Sequence, residues 1–202
     1  MGMFTKVSAD AMETLQLDAG VILSTFDPAA PVEPLSENII ATTTGGIQVN
    51  CTPTYSDFGE DVDNLPNNMK EFKHLDSWEC TMAFTNIKFN ATNAVWALGA
   101  ADKTSTAATG SGSSATRAYD KIVPRRSVQQ TDFADLWWVG DKVNGGAFAV
   151  KLKNALSTGG LSIQSTKNGK GTYSMTLTGH VSIAAQDVMP MEFYDISPAA
   201  SA

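Results

Sequence analysis

The chain has 202 residues, of which 43% are hydrophobic and 17% charged. That is a globular composition at a length one β-sandwich or barrel can fill, and it excludes wholesale disorder. With 14 basic against 21 acidic residues and a net charge of −7, the chain repels polyanions, which excludes a sequence-independent grip on nucleic acid.

Asp10, Glu13 and Asp18 interrupt the apolar character of the N-terminal stretch. The expectation is a chain without a secretion signal, made in the cytoplasm and not inserted in a membrane, since no window approaches the roughly twenty apolar residues of a span.

Residues 17–26, L-D-A-G-V-I-L-S-T-F, form a short apolar run closed by Asp27-Pro28, because proline cannot donate to a ladder. Pro28, Pro31 and Pro34 follow at a spacing of three. Each fixes φ and biases its predecessor to extended geometry, so 1–45 reads as an N-terminal segment with an extended arm, solvated or laid on a neighbour. Gly45-Gly46 then opens a strand in which Ile47, Val49, Cys51 and Tyr55 alternate with Gln48, Asn50, Thr52 and Thr54. Pro53 on its apolar register argues for a sheet edge or a bulge. Trp78, Cys80, Met82 and Phe84 alternate in the same way, making the antiparallel partner of that strand, and the acidic, turn-rich stretch between them is the hairpin tip.

Asn90 or Thr92 is placed to cap a two-turn helix over 91–98, with Val95 and Leu98 on one side and Gly99 ending it. Two turns cannot stand alone, so the helix must lie on the sheet. Residues 103–116, rich in Ser, Thr, Ala and Gly, bury too little to offset about 1 to 2 kcal/mol of ordering entropy per residue and read as a mobile loop inside one domain spanning 1–202. Further strands are expected at Ile122-Val123, at Leu136 to Val139, after the turn Asn144-Gly145-Gly146, at Leu161 to Ile163, and near the C-terminus. Between Gly171 and Asp187 the alternation of Tyr173, Met175, Leu177, Gly179, Val181 and Ile183 with Thr and Ser predicts one long strand with a greasy face and a hydroxyl face. The fold class is mainly β, a sandwich or barrel with one short flanking helix and long loops or arms.

The chemical inventory is thin. His74 and His180 have no partners at metal-ligand spacing, and zinc needs at least three convergent ligands. There is no G-x-S-x-G elbow, and the glycines and serines near Gly110 lack the lysine of a phosphate cradle. Asp57, Glu60, Asp61 and Asp63 do not follow calcium-loop spacing and read as a solvated acidic loop. Cys51 and Cys80 lie on apolar registers and read as buried, reduced thiols rather than a disulfide. The sequons at Asn50 and Asn90 would matter only on a secretory route. No enzyme, cofactor or metal is expected. Trp137 and Trp138, neighbours on a strand, must point to opposite faces. One belongs to the core, and the other is either an exposed contact or covered by the 91–98 helix. Arg125 and Arg126 suit ion pairs with acidic groups across a contact.

Three segments carry a resemblance: D-A-G-V-I-L-S-T-F-D-P from Asp18, A-T-T-T-G-G-I-Q-V-N-C-T-P-T-Y-S-D-F from Ala41, and D-S-W-E-C-T-M-A-F-T from Asp76 with the short helix after it. A long β region then closes in Met191-Glu192-Phe193-Tyr194. In this order of elements the chain resembles the tail tube (major tail) proteins of tailed bacteriophages. The resemblance covers most of 17–196. The Lys103 to Thr116 insertion and Pro124-Arg125-Arg126 depart from it. It implies a β-sandwich or barrel joined edge to edge into rings, usually hexameric, stacked into a tube through which DNA passes without specific binding. Its partners would be further copies, a tape measure protein and a tail terminator, and its place the virion tail. Phe26, Pro31, Pro34, Trp137, Trp138, Arg125 and Arg126 are the expected subunit contacts. The competing expectation is a carbohydrate-binding or adhesion module with a groove of exposed aromatics such as Trp137 or Trp138.

Overall fold

The computed structural model describes residues 7–8, 11–112 and 115–199. Its longest described elements are the two strands expected on either side of the acidic loop. They are β3 (Thr43–Asp57) and β4 (Lys73–Asn86), preceded by the short strands β1 (Val21–Leu23) and β2 (Ile39–Ala41). The alternation of Val49 and Cys51 with that of Cys80, Met82 and Phe84 fixes their antiparallel register, with Cys51 opposite Cys80 and Val49 opposite Met82. Gly45 and Gly46, both at positive φ, form a bulge in β3 between Thr44 and Ile47.

Helix α1 (Ala91–Leu98) starts where Asn90 leaves helical geometry and its side chain accepts from the Asn93 N–H at 2.7 Å. It stops at Gly99, whose positive φ no β-carbon favours. The buried stripe differs from the expected Val95 and Leu98. Asn93 and Ala97 lie against the sheet instead, because Asn93 donates to the Lys88 carbonyl at 3.1 Å and Ala97 allows Ser157 Oγ to reach its carbonyl at 2.6 Å.

Strands β5 (Ala101–Thr106) and β6 (Tyr119–Pro124) pair only with each other. Residues 103–106, expected in a loop, are thus strand. Their side chains are exposed, so the backbone ladder holds them, aided by Ser105 Oγ donating to Asp120 at 2.6 Å and a Lys103–Asp120 pair at 3.3 Å. The remaining strands are β7 (Ala134–Asp141), β8 (Ala147–Ser157), β9 (Ser162–Gln164), β10 (Thr172–Thr178) and β11 (Met191–Ile196).

One hydrogen-bonded path runs β2-β1-β7-β8-β10-β4-β3, with β11 also on β8 and β9 on β10. It folds over into two layers because β8 serves both. β8 pairs with β7 and β11 over most of its length and passes to β10 only at Leu156 and Ser157. Between the layers lie Ile22, Leu136, Val150 and Leu152 from one side and Cys80, Met82, Met175 and Leu177 from the other, all almost fully buried. This is a β-sandwich with one short helix.

One further expectation is corrected. The strand from Thr172 ends at Thr178, not near Asp187. Gly179 leaves the sheet where a β-carbon would meet Leu152 Cδ1 at 2.6 Å and Pro190 at 3.0 Å, and beyond it Val181 and Ile183 are exposed. The alternation in 179–183 therefore reports no sheet face. The proline segment after Asp27 is largely exposed, and both its ends are tied to the sheet, since β1 and β2 pair antiparallel and Ser24 N–H donates to the Asn38 carbonyl at 2.9 Å.

Asn86 is fully buried, and both ends of its amide are hydrogen-bonded. Its Oδ1 accepts from Thr42 N–H at 3.2 Å and Lys88 N–H at 2.8 Å, while its Nδ2 donates to Tyr173 Oη at 2.9 Å, which itself donates to the Lys88 carbonyl at 2.8 Å. Tyr173→Phe strips the acceptor from a buried amide, which costs about 1 to 3 kcal/mol. Urea unfolding of the variant should show a lower midpoint at unchanged slope.

Candidate assembly surfaces

β3 is the terminal strand of the path. Edges are ordinarily blunted by charge, brevity or cover. This edge is 15 residues long and carries no charged side chain before Asp57. Pro53 sits on it, as expected of an edge, opposite Trp78. Among the described residues no strand covers its free side.

From this edge a polar face extends across three strands. Thr44, Thr85 and Ser174 share one cross-strand row, Gln48, Ala83 and Thr176 the next, and Asn50, Thr81 and Thr178 a third. Strand pleating turns these side chains away from the core that Met82, Phe84, Met175 and Leu177 fill. The face is laced by weak side-chain bonds, Gln48 to Asn50 at 3.4 Å and Asn50 to Thr81 at 3.5 Å, and by Thr158 with Thr178 at 2.9 Å. Two charged residues border these rows: Glu79, opposite Thr52, and Lys170, whose Nζ donates to Thr44 Oγ1 at 3.0 Å. The rest of this face presents hydroxyls and amides, a surface that water wets.

The β5–β6 ribbon pairs with no other strand among the described residues, although α1 packs against it. A lone two-stranded ribbon is at best marginal in water, and Tyr119 and Val123 are exposed on it. Arg125 ties its base to the body. The guanidinium pairs with Asp102 at 2.8 Å, with Asp132 more closely, and donates to the Ser127 carbonyl at 3.3 Å. Arg125 is thus engaged within its own chain, whereas Arg126 is exposed.

Neither tryptophan is the exposed aromatic that their adjacency allowed. Trp138 faces the main core, near Phe148, with its indole N–H donating to the Ala19 carbonyl at 2.9 Å. Trp137 points to the opposite face and is only 6% exposed, enclosed by Phe26, Tyr194 and Lys151. Helix α1 does not provide that cover; it packs on β5, β6, β8 and β10. The chain's own N-terminal segment does, and Phe26, Pro31 and Pro34 line a groove beside Val139 and Ile196. An exposed aromatic shelf of the carbohydrate-binding kind is not formed by this pair.

The remaining polar candidates are structural. His74 stacks near Phe58 at the hairpin tip. Asp57 accepts from Gly59 N–H at 3.0 Å and pairs with Lys73 at 3.5 Å, contacts that hold its carboxyl below the usual range. Among the described residues no group of three acidic, His or Cys side chains is placed to hold a metal. His180, expected on the hydroxyl face, instead clasps a bend in β8. Its N–H donates to the Lys153 carbonyl and its ring Nδ1 meets the Asn154 carbonyl, both at 3.2 Å. Asn154 is at positive φ, donates its Nδ2 to the His180 carbonyl at 3.0 Å, and gives its N–H to Asp135 at 3.1 Å. Sequence reading missed this clasp; a lone Asn inside an apolar strand was the available signal.

Burial pushes the Asp135 carboxyl up, but the Lys151 ammonium at 2.8 Å and the Asn154 N–H prevail and hold it below the ordinary value. A carboxyl lowered by folding contributes stability that is full above its unfolded value near 3.9 and is lost as pH falls through the folded one. Asp135→Asn keeps an acceptor for Asn154 but loses the ion pair, so its stability should decline less steeply than the parent's below about pH 4. Asp135→Ala loses both and should cost about 1 to 2 kcal/mol at neutral pH, read by denaturant titration.

No protein-family model matches the chain. No curated protein matches it either. Among solved structures it is similar to a chain in the tail of an empty gene transfer agent particle refined helically with C6 symmetry, at 8% identity and a TM-score of 0.39 over 87% of this chain and 96% of that one. It is also similar to a chain in the virion of a native gene transfer agent particle, at 7% identity and a TM-score of 0.40 over 87% of this chain and 95% of that one.

Proposed function

We propose that this protein is a structural virion component that assembles with copies of itself into stacked rings forming a phage tail tube, the conduit for the genome. The observation that carries the reading is β3. A 15-residue terminal strand without a charge before its last residue is a liability in a monomer, and ring closure with neighbouring copies removes it. The polar rows beside it supply a second reason. If the β3–β4–β10 face lines the bore, DNA meets hydroxyls and amides that neither bind phosphate nor present a greasy surface.

The resemblance of the segments from Asp18, Ala41 and Asp76 to tail tube proteins supplies the ring number, six, and the stacking. The β5–β6 ribbon and the acidic β3–β4 tip are the elements long enough to bridge one ring to the next. Arg126, exposed beside the ribbon base, and Lys121, exposed on the ribbon, are cations available for such a contact, whereas Arg125, Trp137 and Trp138 serve it only indirectly by holding their surroundings rigid. Pro31 and Pro34, on the rim of the N-terminal groove, are placed for contact with a neighbour. The tape measure protein would occupy the bore and a tail terminator its end.

Purified protein at high concentration and native-like salt should form rings or tubes in negative stain. Lysines at Gln48 and Asn50, exposed on the edge strand, should leave the fold intact by circular dichroism and abolish the assemblies through like-charge repulsion at each joint. A strictly monomeric parent protein, or lysine variants that assemble as well as the parent, would sink the reading.

A further inference from the structure

Cys51 and Cys80 face one another across the β3–β4 ladder with their sulfurs 3.0 Å apart, and both are free thiols. Cys80 is buried and Cys51, on the edge strand, is half-buried. The sequence pattern accounts for each as a small core hydrophobe, but not for their meeting at one register position. Directly opposed residues of an antiparallel pair have β-carbons about 4.5 to 5.5 Å apart, and a disulfide needs about 3.5 to 4.5 Å. Bonding here requires the sulfurs to close from 3.0 Å to about 2.05 Å, a shift of about 1 Å.

We propose that Cys51 and Cys80 form an oxidisable pair that takes a low-molecular-weight disulfide, of the oxidised glutathione class, as its oxidant and closes into a disulfide joining the edge strand to the body of the sheet. Cys51, reachable from the open edge, attacks as thiolate. It bonds to one sulfur of the oxidant, and the other leaves as a thiolate that takes up a proton. Cys80 then gives its proton to solvent and attacks the Cys51 sulfur, displacing the second small thiol. Two protein thiols are oxidised and one small disulfide is reduced to two thiols, so electrons and protons balance. Burial pushes the Cys80 thiol up to about 12, with Cys51 adding to the effect, so the second step is slow at neutral pH and quickens as pH rises. The inference stands on the hairpin alone and concerns the unassembled chain, whose β3 edge is open.

The bridge would join residues 29 positions apart. A loop of that size raises the melting temperature of a chain this long by about 10 °C. The test incubates the reduced, purified protein with oxidised glutathione across a series of alkaline pH values. Intact mass should fall by two hydrogens, with a rate that climbs with pH. A non-reducing digest should yield the Cys51 peptide linked to the Cys80 peptide, and the melting temperature should rise by the stated amount and return on reduction. Cys51→Ser and Cys80→Ser should each abolish the mass change and the thermal shift. Should either variant fail to fold, the digest of the parent protein decides alone. Persistent free thiols, a stable glutathione adduct, or links only between separate chains would each overturn the proposal.

Discussion

β8 has to satisfy two sheets, and the bend at Asn154 is what allows it. Up to Lys153 the strand lies between β7 and β11, and beyond it Leu156 and Ser157 pair with β10. A strand changes partner layer only by interrupting its ladder, which leaves backbone groups without their usual acceptors. Here the interruption is filled. Asn154 takes positive φ, Asp135 accepts its N–H from the bulge in β7, and His180 closes on the Lys153 and Asn154 carbonyls from the segment that follows β10. Everything else in the sandwich follows from where this fold-over occurs, including which face of β10 is buried and which joins the polar rows of β3 and β4.

That bend also explains which parts of the molecule were legible in the sequence. Period-two alternation was reliable where a strand had one face on the core, as in Cys80, Met82 and Phe84 or Tyr173, Met175 and Leu177. It misled where the chain continued the pattern after leaving the sheet. Val181 and Ile183 keep the apolar register, but Gly179 has already turned the backbone between Leu152 and Pro190. Alternation measures composition, and only packing decides whether a face exists. The same limit applies at Lys103 to Thr106, whose small polar side chains give no periodic signal although the backbone pairs fully with β6.

The candidate assembly surfaces were half visible. Pro53 pointed to an edge, and β3 is one. The adjacent tryptophans were read correctly as facing opposite ways. What covers Trp137 could not be read, because Phe26 and Tyr194 lie 111 and 57 positions away in sequence and meet it only after β1 pairs with β7 and β11 with β8. Long-range cover of this kind turns an apparent contact residue into a second small core on the outer side of the layer.

The distribution of charge is the property that bears most directly on the proposed conduit. Lys142 with Asp195, Lys151 with Asp135 and Lys153 with Glu192 lie on the β7–β8–β11 layer, Arg125 with Asp102 and Asp132 beside the ribbon, and Asp57 with Lys73 at the hairpin tip. The rows joining β3, β4 and β10 consist of uncharged side chains, with Glu79 opposite Thr52 just beyond them and Lys170 donating to Thr44 at their other end. Fixed charges act over about 8 to 10 Å at physiological ionic strength. A bore lined by cations would retain a polyanion, and one lined by dense carboxylates would oppose its entry. If the face with the hydroxyl rows lines the proposed bore, its few charges, Glu79 and Lys170, leave a wall whose field is weak at that range, and a passing duplex would keep its own counterions and slide on water.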